Sequence, residues 1–305
     1  MAFIGVVALV LWTPLVWWLT PGELPWFLFQ AAKDVGLAAM FVIGAVIASA
    51  TAVGGGMVFN PTLQLAFGVT GFSALALAVL AQCGGMPSGA YGWYRKGEFG
   101  KIEPTHLRAM LIATVLCVVV MQLIFLWLAS RWPVQSVLFM RLASAVVSFY
   151  VFAVVWTRIR GSVTQRTMVT ADSQEAKLRI DRRIYPWLCG GAALNVATAV
   201  GIGELVTSHL IKFYAAPART AIAVGTLLQA ASVLTQAVFT VLFFREHILL
   251  NFVLIGVMFC AVGGRIAPLV LTLPAVEPYA KHLLALAALA MGATSVILVV
   301  RSFVV

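Results

Sequence analysis

The chain has 305 residues, 62% of them hydrophobic and only 10% charged, with a mean hydropathy of +1.03 and a formal net charge of +10. That balance excludes a soluble globular protein, which is about half apolar. It reads as a polytopic helical membrane protein, and at about 20 apolar residues per span it has room for about eight or nine helical segments and no separate soluble domain.

In chain order, residues 1–34 are expected to form an additional N-terminal transmembrane helix and linker. No basic residue follows Met1 closely, no small-residue cleavage site is present, and Trp12, Trp17 and Trp18 suit the membrane interface, so an uncleaved span is expected in preference to a signal peptide. Residues 35–157 form a first unit: a helix from Val35 to Val53, a break at Gly54-Gly55-Gly56, a short helix from Met57 to Phe67, and a span from Phe72 to Tyr94. That span carries Gly84, Ser88 and Gly92, with Gly85 and Gly89 beside them, at the four-residue spacing that lets helices approach closely. A basic turn at Arg95–Lys101 follows, then spans at Thr105–Ala129 and Val134–Trp156.

Residues 158–184 form a polar loop containing Arg158, Arg160, Arg166, Lys177, Arg179, Arg182 and Arg183, which the positive-inside rule places in the cytoplasm. No aromatic-rich or zinc-finger pattern accompanies it, so nucleic acid is not an expected partner. Residues 185–305 then repeat the first order of elements. A helix from Tyr185 to Val200 is broken at Gly201-Ile202-Gly203-Glu204, a short helix reaches Tyr214, and spans follow at Ala218–Phe244, His247–Val262 and Lys281–Val300.

Glycine in a helix interior costs about 1 kcal/mol relative to alanine, so the triglycine ends one helix and starts another. Irregular backbone at membrane depth survives only where it is buried in protein or lines a polar cavity. Paired interruptions at corresponding places in two halves point to a transporter with internal repeats and a central site. A fresh helix N-terminus also offers N–H groups to an anion; the competing reading of the triglycine is a packing contact between helices. The stretch from Val35 to Phe67 would be about 50 Å long as one helix, against a hydrocarbon core of about 30 Å. A re-entrant hairpin fits better than one bent crossing. Hairpins make the two halves inverted repeats, each a broken helix plus three transmembrane helices, and this is the expected fold; bent crossings would make them parallel repeats of four. Setting Gly54 against Gly203 places Asn60 opposite His209.

Candidate site residues follow from this layout. Gly54, Gly55, Gly56, Gly201 and Gly203 supply backbone at the breaks, and Asn60, Gln82, His209, Thr226 and Gln229 supply amide, imidazole and hydroxyl groups for substrate, with Ser232 and Gln236 as further polar positions in the same spans. Glu204 is the most informative residue, because a carboxylate at membrane depth costs about 2.5 to 3.5 kcal/mol and such residues mark ion or proton pathways. Glu204, Ser208 and Lys212 share one helix face and His209 neighbours Lys212, so Glu204, His209 and Lys212 are the candidates for proton coupling. The competing readings are a helix cap for Glu204, a packing residue for His209 and an interfacial cation for Lys212. Arg108 and Arg141 read as interfacial. The four cysteines lie far apart with no metal-binding spacing, and no catalytic motif is present, so no enzyme activity, metal or cofactor is expected.

Gly54-Gly55-Gly56 with Pro61, Ser88-Gly89-Ala90 leading to Tyr94-Arg95-Lys96-Gly97, and in the second half Gly201-Ile202-Gly203, Pro217-Ala218-Arg219 and Ala223-Val224-Gly225-Thr226 resemble the sulfite exporter (TauE/SafE) family of small-anion permeases from about Val35 to the C-terminus. The chain departs from that pattern at Glu204, at Leu210 and at Ala76-Leu77-Ala78, and its N-terminal span is an addition. The resemblance implies passage of small sulfur-containing oxyanions, such as sulfite or a sulfonate, through a multi-pass protein of the bacterial inner (plasma) membrane. Protons and the lipid bilayer are then the further partners; a channel-like anion facilitator is the first alternative to a coupled exporter, with an intramembrane enzyme and a non-transporting assembly subunit as more distant ones.

Overall fold

The computed structural model describes residues 24–52, 54–69, 71–161, 178–199, 201–276 and scattered positions between 279 and 300. The expected N-terminal span before residue 24, the loop positions Arg166 and Lys177, and much of the last span lie outside the described residues. Among the described residues the regular structure is α-helical apart from short 3₁₀ turns at Glu98–Lys101, Arg182–Ile184 and Arg245–His247 and one isolated bridge between Ile102 and Leu178. The helices are α1 (Leu24–Thr51), α2 (Gly56–Ala66), α3 (Gly71–Arg95), α4 (Pro104–Arg131), α5 (Pro133–Gly161), α6 (Tyr185–Thr198), α7 (Ile202–Phe213), α8 (Ala218–Phe243) and α9 (Leu250–Leu271). Among the described residues four segments, Gly71–Arg95, Pro104–Arg131, Ala218–Phe243 and Phe252–Leu271, are long and apolar enough to cross a membrane, and the protein is an all-α membrane protein. Helix α1 begins at Leu24 instead of Val35, because Pro25 falls in the first turn, where a missing N–H breaks no helical hydrogen bond.

Both broken helices fold back on themselves. Phe41 of α1 packs edge-on against Phe59 of α2 with ring centroids 5.2 Å apart, whereas 18 residues of continuous helix would separate them by about 27 Å. In the second half Trp187 of α6 and His209 of α7 lie 5.0 Å apart. The turn is sharp in both cases: Ala52 (φ 55°) and Ala199 (φ 59°) adopt left-handed backbone just after α1 and α6 end, and Gly201 (φ 140°) takes a conformation that L side chains avoid. Thr51 and Thr198 end these helices alike, each hydroxyl bonding the carbonyl one turn back.

These two left-handed alanines set a register between the halves that differs from the sequence alignment by two residues. Matching Ala52 to Ala199 brings Gly56 against Gly203, the first residue of α3 against the first residue of α8, and Gln82 against Gln229. Asn60 then corresponds to Thr207 and not to His209. Glycine doublets mislead here because two overlays of Gly-rich text score alike, while only one overlays the turns.

Helices α3 and α8 lie side by side and run in opposite directions. Glu98, just beyond the end of α3, accepts a 2.8 Å hydrogen bond from Thr220 at the start of α8. At the other end Phe72 of α3 stacks on Phe244, beyond the end of α8, at 5.8 Å. The halves are interwoven: α9 packs on α3 and α1 of the first half, and α4 packs on α8 and α6 of the second. The α3–α9 contact has the closeness its small residues allow. A Cβ on Gly84 would overlap the Val257 carbonyl, one on Gly92 would come within 2.7 Å of the Pro268 ring, and Ser88 bonds the Ala261 carbonyl at 2.7 Å. Both basic segments meet at one end of the bundle, where Leu178 pairs with Lys101 and Glu103 and the Ile180 amide donates to His106.

Candidate functional site

The turns of the two hairpins meet in the middle of the fold. A Cβ on Gly56 would stand 2.6 Å from the Cβ of Ala199 and 2.8 Å from the Thr198 carbonyl oxygen, and one on Gly203 would overlap the Ala52 carbonyl. Each short helix therefore starts against the carbonyl end of the opposite hairpin, so positive and negative helix ends face each other. Gly54, Gly55, Gly56, Gly201 and Gly203 are all buried at this crossing. The expectation that a fresh helix start presents N–H groups to an anion is met differently: Gly203 N–H donates to the side-chain oxygen of Gln229 at 3.2 Å.

Gln82 and Gln229 flank the crossing from α3 and α8. Both donate to the same carbonyl, that of Ala199, at 3.3 and 3.5 Å. From Gln229 a buried amide network continues, since it donates to Asn195, which in turn donates to Ser232 at 2.6 Å and Gln236 at 3.0 Å. Beyond Gln236 lies a cavity of about 10 Å³, lined by Gln122, Gln236, Thr240, Phe72 and Phe244 among others, with room for about one water. Gln122 carries a buried side-chain oxygen without a partner there. A line of polar groups thus runs from the crossing to the stacked Phe72 and Phe244. Thr226 joins the crossing from the other side, reaching the Ser49 carbonyl at 3.4 Å.

Glu204 is fully buried, and the Gly54 backbone N–H faces its carboxyl, but neither carboxyl oxygen makes a close hydrogen bond. Nor does its side chain cap α7. Ser208, one turn on, is equally buried and unbonded, and so is the side-chain oxygen of Gln82. A buried polar atom left unbonded costs about 1–3 kcal/mol, so several in one place mark a site that a proton or ligand completes.

The remaining candidates lie apart from the crossing. His209 sits in an aromatic surround of Trp187, Phe213 and Tyr214, at 5.0, 4.5 and 5.7 Å between ring centroids, toward the end of α7. Lys212 is exposed, its ammonium 5.0 Å from the Phe213 ring, so the face shared by Glu204 and Lys212 leads out of the protein. Asn60 lies on α2, a turn past the crossing, where it accepts from Gln64 at 2.7 Å. Gln64 in turn accepts from Arg141 of α5 at 2.8 Å, which places Arg141 against the first hairpin and not simply at an interface.

Sequence reasoning missed Asn195, although a lone amide one turn before a helix break is a visible signal. It also treated the cysteines as scattered, whereas Cys117 of α4 and Cys189 of α6 bring their sulfurs to 2.9 Å. Near the basic segments, Asp181 is exposed; the Tyr214 hydroxyl, and then the Arg183 backbone N–H, hold its carboxyl below the usual range. Among the described residues no group of three or more His, Cys, Asp or Glu side chains is placed to hold a metal ion. No family model, no curated protein and no solved structure matches this chain.

Proposed function

We propose that this protein is a permease of the TauE/SafE kind that moves small sulfur-containing oxyanions across a bacterial inner membrane, coupled to protons. In this reading the two halves are inverted repeats, each a re-entrant hairpin and three spans. The hairpin turns are the occluded centre of the translocation path, and Glu204 is the acid that takes up and releases the coupling proton.

The observation that carries the proposal is the meeting of two broken helices at a buried point where Glu204, Ser208 and Gln82 hold polar atoms without partners. Broken helices at membrane depth supply binding sites in transporters, and an intramembrane carboxylate marks an ion pathway. The antiparallel course of α3 and α8 supports inversion, and the shared end of both basic segments supports one cytoplasmic face. The amide line from Gln229 through Asn195 to Gln236 suits an occluded path, since the N–H groups of every member are bonded within the protein and must exchange partners to meet an oxyanion.

Glu204 beside an anion path gives coupling a simple electrostatic basis. Charged, it repels an anion at the crossing; protonated, it admits one and supplies a hydrogen-bond donor. The test is uptake of radiolabelled sulfite into proteoliposomes with and without an imposed pH gradient. Flux that follows the gradient supports the coupled exporter, flux indifferent to it supports a channel-like facilitator, and no flux of sulfite or a sulfonate overturns the permease reading.

A further inference from the structure

Two of the four cysteines are placed to react with each other. The thiols of Cys83 and Cys260 are directed at backbone carbonyls, Cys83 at those of Val79 and Val233 and Cys260 at that of Phe41. Cys117 and Cys189 are directed at each other, with their sulfurs 2.9 Å apart. The register that brings them together is set at the basic end of the bundle. Leu178 is tied to Lys101 and Glu103, and the Ile180 amide to His106, so the chain entering α6 starts beside the beginning of α4 and climbs along it. Cys117 then lies about 20 Å along α4, and Cys189 meets it from the first arm of the second hairpin. Both side chains are half-buried. Among the described residues no further His, Cys, Asp or Glu joins them, as a metal site would need.

We propose that Cys117 and Cys189 form a reversible disulfide that fixes the first arm of the second hairpin to α4 and so stops the hairpin from moving. A sulfur–sulfur bond is about 2.05 Å long, so closure asks for about 1 Å of approach. Two S–H bonds break and one S–S bond forms, and the two protons and two electrons reduce one lipid-soluble quinone to its quinol. An oxidant of that class dissolves in the bilayer and reaches thiols at membrane depth. A dithiol reductant returns both thiols by exchange through a mixed disulfide. The bond acts on the crossing because α6 carries Asn195 and ends at the left-handed turn residue Ala199, so pinning α6 holds the turn and its amide network in place. That the locked hairpin stops transport rests on the permease reading above. The bond itself does not.

The experiment treats proteoliposomes with decylubiquinone, then denatures the protein and counts maleimide-reactive thiols by mass. Wild type should fall from four reactive thiols to two, with Cys117 and Cys189 recovered in one cross-linked peptide pair, and dithiothreitol should restore all four. Cys117→Ser and Cys189→Ala should lose none of their remaining thiols. Oxidation should also slow hydrogen exchange in α7 by at least about tenfold. Flux of radiolabelled methanesulfonate, which unlike sulfite does not cleave disulfides, should fall by at least about tenfold. Neither change should occur in the cysteine variants. Four thiols left after the quinone, and again after copper–phenanthroline, overturn the inference. A disulfide that leaves α7 exchange or an existing flux unaltered overturns the lock. Absence of flux in the reduced wild type sinks the permease reading instead, and the thiol count and α7 exchange still decide this inference.

Discussion

Gln82, in the first half of the chain, donates a 3.3 Å hydrogen bond to the carbonyl of Ala199 in the second, at the left-handed residue where the second hairpin turns. Its counterpart Gln229 donates to the same oxygen and also accepts from Gly203. One carbonyl therefore ties both long central helices to one turn. Gln82→Leu and Gln229→Leu should each lower stability by about 1–3 kcal/mol. Because they share Ala199, the double variant should lose less or more than the sum, by at least about 0.5 kcal/mol. Additive losses in a chemical or thermal unfolding series would show that the two glutamines act separately.

Glu204→Gln separates coupling from architecture. The amide mimics the protonated acid, so sulfite exchange should persist while the response of net flux to a pH gradient disappears. A carboxylate with no part in coupling would give a variant with unchanged gradient response. Paired measurement of exchange and gradient-driven flux decides between them, and an intact response removes Glu204 from the coupling step.

Close approach at the hairpin turns predicts which glycines are indispensable. Gly203→Ala forces a methyl onto the Ala52 carbonyl, which is backbone and cannot swing aside, and should cost about 1–3 kcal/mol and most of the flux. Gly55→Leu should likewise block transport, since even a Cβ would lie 2.5 Å from the Phe59 ring. Gly190→Ala is the control: nothing lies within 4 Å of the added carbon, and the helix should gain up to about 1 kcal/mol. Melting temperatures of the three variants, beside their flux, test the ranking.

The proposed inversion of the halves makes a prediction about the termini. If the halves are inverted and both basic segments face the cytoplasm, the N-terminus is cytoplasmic and the C-terminus lies outside. A C-terminal alkaline phosphatase fusion should be active and a C-terminal fluorescent fusion dark; the reverse pattern would contradict the inverted arrangement.

Residues 178–184, which lead into α6, should hold their place over a wide pH range. Asp181 accepts from Tyr214 and from the Arg183 N–H, which lowers its pKa. Stabilisation from a depressed carboxylate is fully present above the ordinary value of about 4 and is lost only as pH falls through the lowered folded value. Hydrogen exchange of residues 178–184, corrected for intrinsic pH dependence, should be flat from about pH 5 to about pH 8. Tyr214→Phe should speed exchange throughout that range, and equal rates in variant and wild type would mean the hydroxyl does not secure the loop.

Some of this was legible in the amino-acid order. Hydropathy marked a helical membrane protein, the glycines at 54–56 and 201–203 marked two breaks, and the four-residue spacing of Gly84, Ser88 and Gly92 marked a close helix contact. These are local properties, because burial in lipid and the cost of glycine in a helix act on consecutive residues. What the tertiary structure decided is which breaks, amides and charges meet. The register between the halves depends on where Ala52 and Ala199 turn, and alanine carries no sign of left-handed backbone. Asn195, Gln229 and Gln236 form one network only because α6 folds back beside α8. Lys212, one face with Glu204 on the helix, emerges at the surface, while Arg141, which sequence placed at an interface, reaches a hairpin in the other part of its own half. Sequence spacing fixes neighbours along one helix; contacts between helices depend on crossing geometry, which close approach of glycine backbones sets and no single segment records.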